Sequence, residues 1–233
     1  MTYPGPHAAQ ILEDAEEFYV TSTNNSRAII DRGDGAYLYD VDGYKYIDLH
    51  CGAGVTNLGH NHQPSIQAIC ERVQKTGIIH TEHHNAFNPT AIELSKFLAL
   101  NSPVKKQSKV FLSNSGAEAN EAARKACEAY RFHRNEQQLR PRAIYFENGF
   151  AGRTHGVLAA TTSNPSVQRN PYWNHCDQEN SIYLPYPTKQ NFSLLKKKLS
   201  DLDLSTIDRL MIELPCQGEA GIIPADEEAL KHL

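Results

Sequence analysis

From residue 109 onward, short apolar runs and helical stretches take turns, and this alternation limits the fold more than any other property of the chain. Lys109-Val110-Phe111-Leu112, Ala143-Ile144-Tyr145-Phe146, Ile182-Tyr183-Leu184 and Leu210-Met211-Ile212 read as four strands. Between them lie a long helix from about Ala117, a turn with a short apolar segment at Val157-Leu158-Ala159-Ala160, and a basic helix over Leu194 to Leu199. A last helix starts near Asp226. Strands separated by such crossovers make a mostly parallel sheet covered by helices, an α/β domain.

The first part of the chain follows another pattern. Tyr37-Leu38-Tyr39 and Tyr44-Lys45-Tyr46-Ile47 flank Asp42-Gly43, so residues 36–49 read as a β-hairpin. Ile66, Ile69, Cys70 and Val73 have helical spacing that Gly77 ends, and a second helix runs from about Pro89 to before Pro103. The expected division is an N-terminal segment, residues 1–60, and a large domain, residues 61–233. The chain ends at Leu233, about two turns after a well-formed helix start at Pro224-Ala225-Asp226-Glu227-Glu228, which predicts a polypeptide cut short.

Charge and cysteines narrow the function. Lys+Arg 23 against Asp+Glu 27 gives a net charge of −4, which argues against a nucleic acid or an anionic membrane as partner. No apolar run approaches the roughly 18 residues of a membrane helix. Met1 to Phe18 is acidic and has no apolar leader core. Five scattered cysteines without a Cys-x-x-Cys predict neither a disulfide framework nor a zinc knuckle, and point to the cytoplasm. His60 and His62, with His80, Glu82, His83 and His84, are too loosely clustered to predict a metal site.

The strongest motif is Phe111-Leu112-Ser113-Asn114-Ser115-Gly116-Ala117-Glu118-Ala119-Asn120-Glu121. A strand runs into a Ser/Asn/Gly turn that opens a helix. Its face of Ala119, Ala122, Ala123, Ala126, Cys127 and Tyr130 is small enough to lie close on a sheet. Backbone N–H groups of Ser115, Gly116 and Ala117 then face a crevice, an arrangement suited to a phosphate. Taken alone, the turn is a weak signal and reads first as a capped strand-to-helix turn that binds nothing, as most such turns are.

The longer string, Ser113 to Ala123, resembles the cofactor-phosphate signature of class III aminotransferases, which are pyridoxal-phosphate enzymes of fold type I. Three further blocks occur in the family's order: Tyr37 to Gly43 followed by Asp48, Gly149-Phe150-Ala151-Gly152-Arg153-Thr154-His155-Gly156, and Pro215-Cys216-Gln217-Gly218-Glu219-Ala220-Gly221. Asn57-Leu58-Gly59-His60-Asn61-His62 is similar to the loop before the family's first large helix. The resemblance implies pyridoxal 5′-phosphate as cofactor, with its phosphate on Ser115, Gly116 and Ala117 and its ring against Phe150. It implies that Arg153 meets a substrate carboxylate, that Glu219 is a gate carboxylate, and that Ala53 lines the substrate pocket. The implied reaction moves an amino group from an ω- or α-amino acid, of the 4-aminobutyrate or ornithine kind, to a 2-oxo acid. The implied full-length assembly is a homodimer.

Three departures qualify the resemblance. Ala151 stands where the family has His. Leu214 stands where it has Glu, with Glu213 one residue earlier, and strand alternation predicts that Glu213 faces the other way. The resemblance also stops before the Asp that pairs with the ring nitrogen and the Lys that forms the Schiff base. The chain is therefore expected to hold no catalytic residue and to be inactive alone, with an incomplete large domain. Two alternatives stand beside this reading: a non-catalytic paralogue that binds cofactor or a partner subunit, and an amino-acid racemase of the same family.

Overall fold

Ala143–Phe146 becomes the middle of a parallel sheet in the computed structural model, which describes residues 3–20, 26–80, 86–104, 108–134, 142–164 and 179–233. The chain falls into two compact units, residues 1–86 and 87–233.

In the second unit, β4 (Arg142–Phe146) pairs in parallel with β5 (Ser181–Leu184) on one side and β6 (Ile207–Leu210) on the other. Its side chains alternate between two layers. Ala143 and Tyr145 pack with Ala151 and Val157–Ala160, the last three residues of which form a single 3₁₀ turn. Ile144 and Phe146 pack on the opposite face with Ile182, Leu184, Leu195 and Ala229. A strand buried on both faces reads as an unbroken apolar run, which is why this segment is visible in the sequence.

Helices close both layers. On the second, α5 (Phe192–Ser200) inserts Leu195 and α6 (Glu227–Leu230) inserts Ala229, with the Asp226 carboxylate accepting the Ala229 N–H at 3.1 Å. On the first lies α4 (Gly116–His133), the longest helix among the described residues. A short antiparallel pair, β7 (Cys216–Gln217) and β8 (Ile223–Pro224), links β6 to α6. Between α3 (Pro89–Leu100) and α4 the sequence expectation fails. Residues 109–112 pair with no described strand, and Phe111 is 70% exposed. An apolar run becomes a strand only beside a ladder neighbour, and the described residues provide none here.

The fourth strand lies at Ile207–Leu210, earlier than expected from Leu210-Met211-Ile212. Its interior holds a buried ion pair: Arg209 Nη1 donates to Asp208 Oδ2 at 2.7 Å, and Arg209 lies 3.6 Å from Glu128 of α4. Burial raises the Asp208 carboxyl above its ordinary range, against the pull of Arg209 and Arg131.

The first unit is built on the predicted hairpin. β1 (Ile30–Asp34), β2 (Tyr37–Asp40) and β3 (Lys45–Ile47) form an antiparallel sheet. Asp40 closes the turn by accepting the Tyr44 N–H at 2.8 Å and the Tyr46 hydroxyl at 2.6 Å. An unpredicted helix, α1 (Pro6–Phe18), is held by Asp42, whose carboxylate accepts the N–H groups of His7 at 3.0 Å and Ala8 at 2.9 Å. A carboxylate at a helix start is stabilising, but here it comes from far along the chain and leaves no local signal. α2 (Gln63–Thr76) ends at Gly77, as expected. Among the described residues no helix is long and apolar enough to cross a membrane.

Asp48 anchors the segment after the sheet. It accepts a hydrogen bond from His60 Nε2 at 2.6 Å and from the N–H groups of His50 and Cys51, each at 2.9 Å. These bonds, His60 first, hold its carboxyl down at about 2, against 3.8 for a free aspartate. The stability that this anchor contributes is fully present above pH 4 and is lost as pH falls from 4 towards 2. Asp48→Asn should weaken the first unit at neutral pH and flatten its stability over that acid window. Urea-unfolding midpoints of both forms from pH 6 to 2 check this; parallel curves would sink it.

Candidate functional site

The site forms where the start of α4 meets two loops of the second unit. Ser115 is the N-cap of α4, its Oγ accepting the Glu118 N–H at 3.2 Å. Glu118 reaches back so that its Oε2 accepts the Asn114 N–H at 2.7 Å, one residue before the N-cap, rather than the N-cap N–H of a capping box. The N–H groups of Ser115, Gly116 and Ala117 have no partner among the described residues. Nothing lies within 4 Å of where a Gly116 Cβ would stand, so that side of the turn is open.

The 149–156 loop lies directly on this turn. At Gly152 an added Cβ would come within 2.6 Å of the Ala117 Cβ, and φ is +121°, so only glycine fits. Asn120 Nδ2 donates to the Ala151 carbonyl at 2.9 Å, and Arg124 Nη1 to the Gly156 carbonyl at 2.7 Å. Thr161 and Thr162 secure the loop from beneath. The Thr161 hydroxyl accepts the Ala151 N–H and donates to the Gly152 carbonyl, while that of Thr162 accepts the Gly149 N–H and donates to the Phe146 carbonyl. Phe150 is thereby held half-buried, with the exposed Arg153 guanidinium 5.3 Å from its ring centroid. Ala151 is 6% exposed inside the first core layer, where a small side chain fits.

A cavity beside Phe150 is bounded by Asn120, Met211, Ile212, Glu213 and Gln217. Gln217 is 1% exposed; its Nε2 donates to the Glu147 carbonyl at 2.8 Å, and its Oε1 has no hydrogen-bond partner. A buried acceptor of this kind suits a donor arriving from the cavity. Open amides for an anion, an aromatic face and this acceptor together fit a phosphorylated aromatic molecule. Beneath the cavity, burial raises the Tyr186 hydroxyl above its ordinary value while it donates to the Glu213 carbonyl at 2.8 Å.

Of the residues singled out in the sequence, Ser115, Gly116, Ala117, Phe150 and Arg153 all belong to the second unit, with Ala117 against Gly152 of the loop that carries Phe150 and Arg153. Glu219 belongs to the same unit, exposed, its Oε2 accepting from the Ser163 hydroxyl at 2.7 Å. Ala53 belongs to the first unit, in a turn over Cys51–Gly54 where its own φ is +57°. Two expectations are corrected. Glu213 reaches the site, since it lies past β6 in irregular backbone where alternation does not apply, and Leu214 is 56% exposed. The alanine face of α4 is buried only in part: Ala119, Ala123, Ala126 and Tyr130 are exposed, whereas Ala122 and Cys127 are half-buried, as are Ala117, Asn120 and Arg124. Among the described residues no three His, Cys, Asp or Glu side chains could hold a metal ion, and Glu82, His83 and His84 lie outside them.

Residues 18–233 match the family model described as aminotransferase class-III. An acetylornithine aminotransferase of Clostridium acetobutylicum is 32% identical over 225 residues, covering 94% of this chain and 52% of its own. An isoleucine 2-epimerase of Lentilactobacillus buchneri is 31% identical over 243 residues, covering 96% and 51%. The solved ornithine aminotransferase of Toxoplasma gondii ME49 superposes with a TM-score of 0.78 at 21% identity, over 97% of this chain and 49% of that one. The α/β architecture with its parallel sheet is the one those aminotransferases share. The chain spans about half the length of the curated relatives it matches.

Gly152→Ala should cost about 3 kcal/mol through strain and overpacking, whereas Gly116→Ala should change stability by less than about 0.5 kcal/mol. Denaturant unfolding of the two variants checks the contrast, and equal midpoints would refute the contact.

Proposed function

Because the chain belongs to the class-III aminotransferase family, we propose that it provides the cofactor cradle of a transaminase acting on amino acids of the ornithine, acetylornithine or 4-aminobutyrate kind, with a 2-oxo acid as acceptor. Pyridoxal 5′-phosphate is the cofactor of this family. When bound, it supplies an electron-withdrawing ring that stabilises negative charge at the substrate α-carbon.

The chain's own residues divide the remaining work. The N–H groups of Ser115, Gly116 and Ala117, with the positive end of α4 behind them, hold the phosphate dianion. Phe150 covers one face of the ring and excludes water from it. Arg153 offers a substrate carboxylate a two-pronged donor, and its place beside Phe150 supports that role. Glu219 stands as the gate carboxylate, resting against Ser163. Ala53 belongs to the substrate pocket, where its small side chain leaves room. Residues 1–60 serve as an N-terminal segment to the cofactor-binding residues 61–233. A homodimer in the cytoplasm is the assembly proposed for the whole protein; the four described cysteines, all unpaired, agree with a reducing compartment.

The observation that carries this reading is the open amide turn at Ser115–Ala117, locked against the Phe150 loop by the Gly152 contact. Racemisation is a second reading, favoured by the similarity to a relative named isoleucine 2-epimerase. Loss of optical activity in a single amino acid without any 2-oxo acid would distinguish it.

The 233-residue chain should bind pyridoxamine 5′-phosphate, and pyridoxamine without the phosphate should not compete. Gly116→Val fills the open side of the turn and should weaken binding roughly tenfold or more, at unchanged melting temperature. Equilibrium dialysis reads both; indifference to the phosphate or to the valine would overturn the assignment.

A further inference from the structure

One carboxylate ties together the two loops that border the cavity. Glu213 Oε1 accepts the Phe150 N–H at 2.8 Å, and Glu213 Oε2 accepts the Gly218 N–H at 3.1 Å. Its own main chain is fixed in turn, since the Tyr186 hydroxyl donates to the Glu213 carbonyl at 2.8 Å. Phe150 presents the aromatic face, and Gly218 follows Gln217, which lines the same cavity and whose buried Oε1 has no hydrogen-bond partner. Hydrogen bonds to an ionised acceptor are about twice as strong as neutral ones, so both amides are held firmly in position. The neighbouring Leu214 is 56% exposed and cannot take over this contact.

We propose that Glu213 is a positioning residue that sets the Phe150 ring and the Gln217 side chain against a bound pyridine ring, leaving the phosphate to the amides of α4. The inference rests on the cofactor reading above and assigns a task to a residue outside the phosphate cradle. It separates two contributions: the anion is held at Ser115–Ala117, while the orientation of the ring depends on Glu213. In Glu213→Gln the new amide presents an N–H to one of the two backbone N–H groups, so one of the paired contacts is lost. Glu213→Asp keeps the charge with a shorter reach and should recover part of the effect.

The test uses the whole chain with two probes, pyridoxamine 5′-phosphate and inorganic phosphate, followed by calorimetry and by the induced circular dichroism of the bound ring. Glu213→Gln should lower affinity for pyridoxamine 5′-phosphate about tenfold and diminish the induced signal, while phosphate affinity stays within about twofold. Unchanged affinity and signal would overturn the proposal, and so would a parallel loss for both probes, which marks a purely structural role. Amide hydrogen exchange provides a readout independent of any ligand. Slow exchange at Phe150 and Gly218 in the parent, lost at one of the two in the variant, supports the clamp; unchanged exchange at both in the variant, or fast exchange in the parent, refutes it. A parent chain that binds neither probe would defeat the cofactor reading, with the clamp still decided by exchange. If Glu213→Gln does not fold, the parent's exchange alone decides.

Discussion

The second unit's site depends on a backbone-to-helix contact that tolerates no side chain. Gly152 lies against the first turn of α4 so closely that any Cβ would collide with Ala117, and its left-handed conformation excludes other residues on separate grounds. Because of that approach, Asn120 and Arg124 can reach the loop's carbonyls. The open amides of the turn and the aromatic ring of Phe150 consequently share one rigid base. Loops that carry function are useful only when something fixes them, and here the fixing is done by the absence of an atom.

The loop is buried at Gly149, Ala151 and Gly152, so its polar backbone needs partners that water cannot supply. Thr161 and Thr162 meet this need with two hydroxyls, each donating once and accepting once. Glu213 adds an ionised acceptor from the far side. The apolar layer formed by Val157–Ala160 is thus topped by a small polar network, and the two are continuous in sequence.

How much of this was readable beforehand varied with the physics of each element. Ala143–Phe146 stood out because both its faces are apolar. Ile207-Asp208-Arg209-Leu210 did not, because its charges are buried by pairing with each other, and hydropathy cannot see an ion pair. The turn at Ser115–Ala117 was legible from local chemistry, and so was its neighbour Phe150 once the ordered blocks were recognised. On α4, spacing favours the alanines, yet Ala119, Ala123 and Ala126 are exposed, while Asn120 and Arg124, which find carbonyl partners, are half-buried along with Ala122 and Cys127. Glu213, Thr161 and Gln217 acquire meaning only from tertiary contacts. A sequence-adjacent rule such as strand alternation fails for Glu213, since the strand has already ended.

The sheet register has a thermodynamic corollary. Ala143 pairs with Ser181, and Arg142 with Ile207, so β4 gains each neighbour only after a long stretch of chain has been brought back to it. The hairpin of the first unit, with Tyr39 opposite Lys45, closes between near neighbours. Loop-closure entropy therefore weighs more heavily on the parallel sheet than on the hairpin, by about 2 kcal/mol at ~0.6 kcal/mol per doubling of the loop. The surface beside Phe150 belongs to the part of the molecule with the higher contact order.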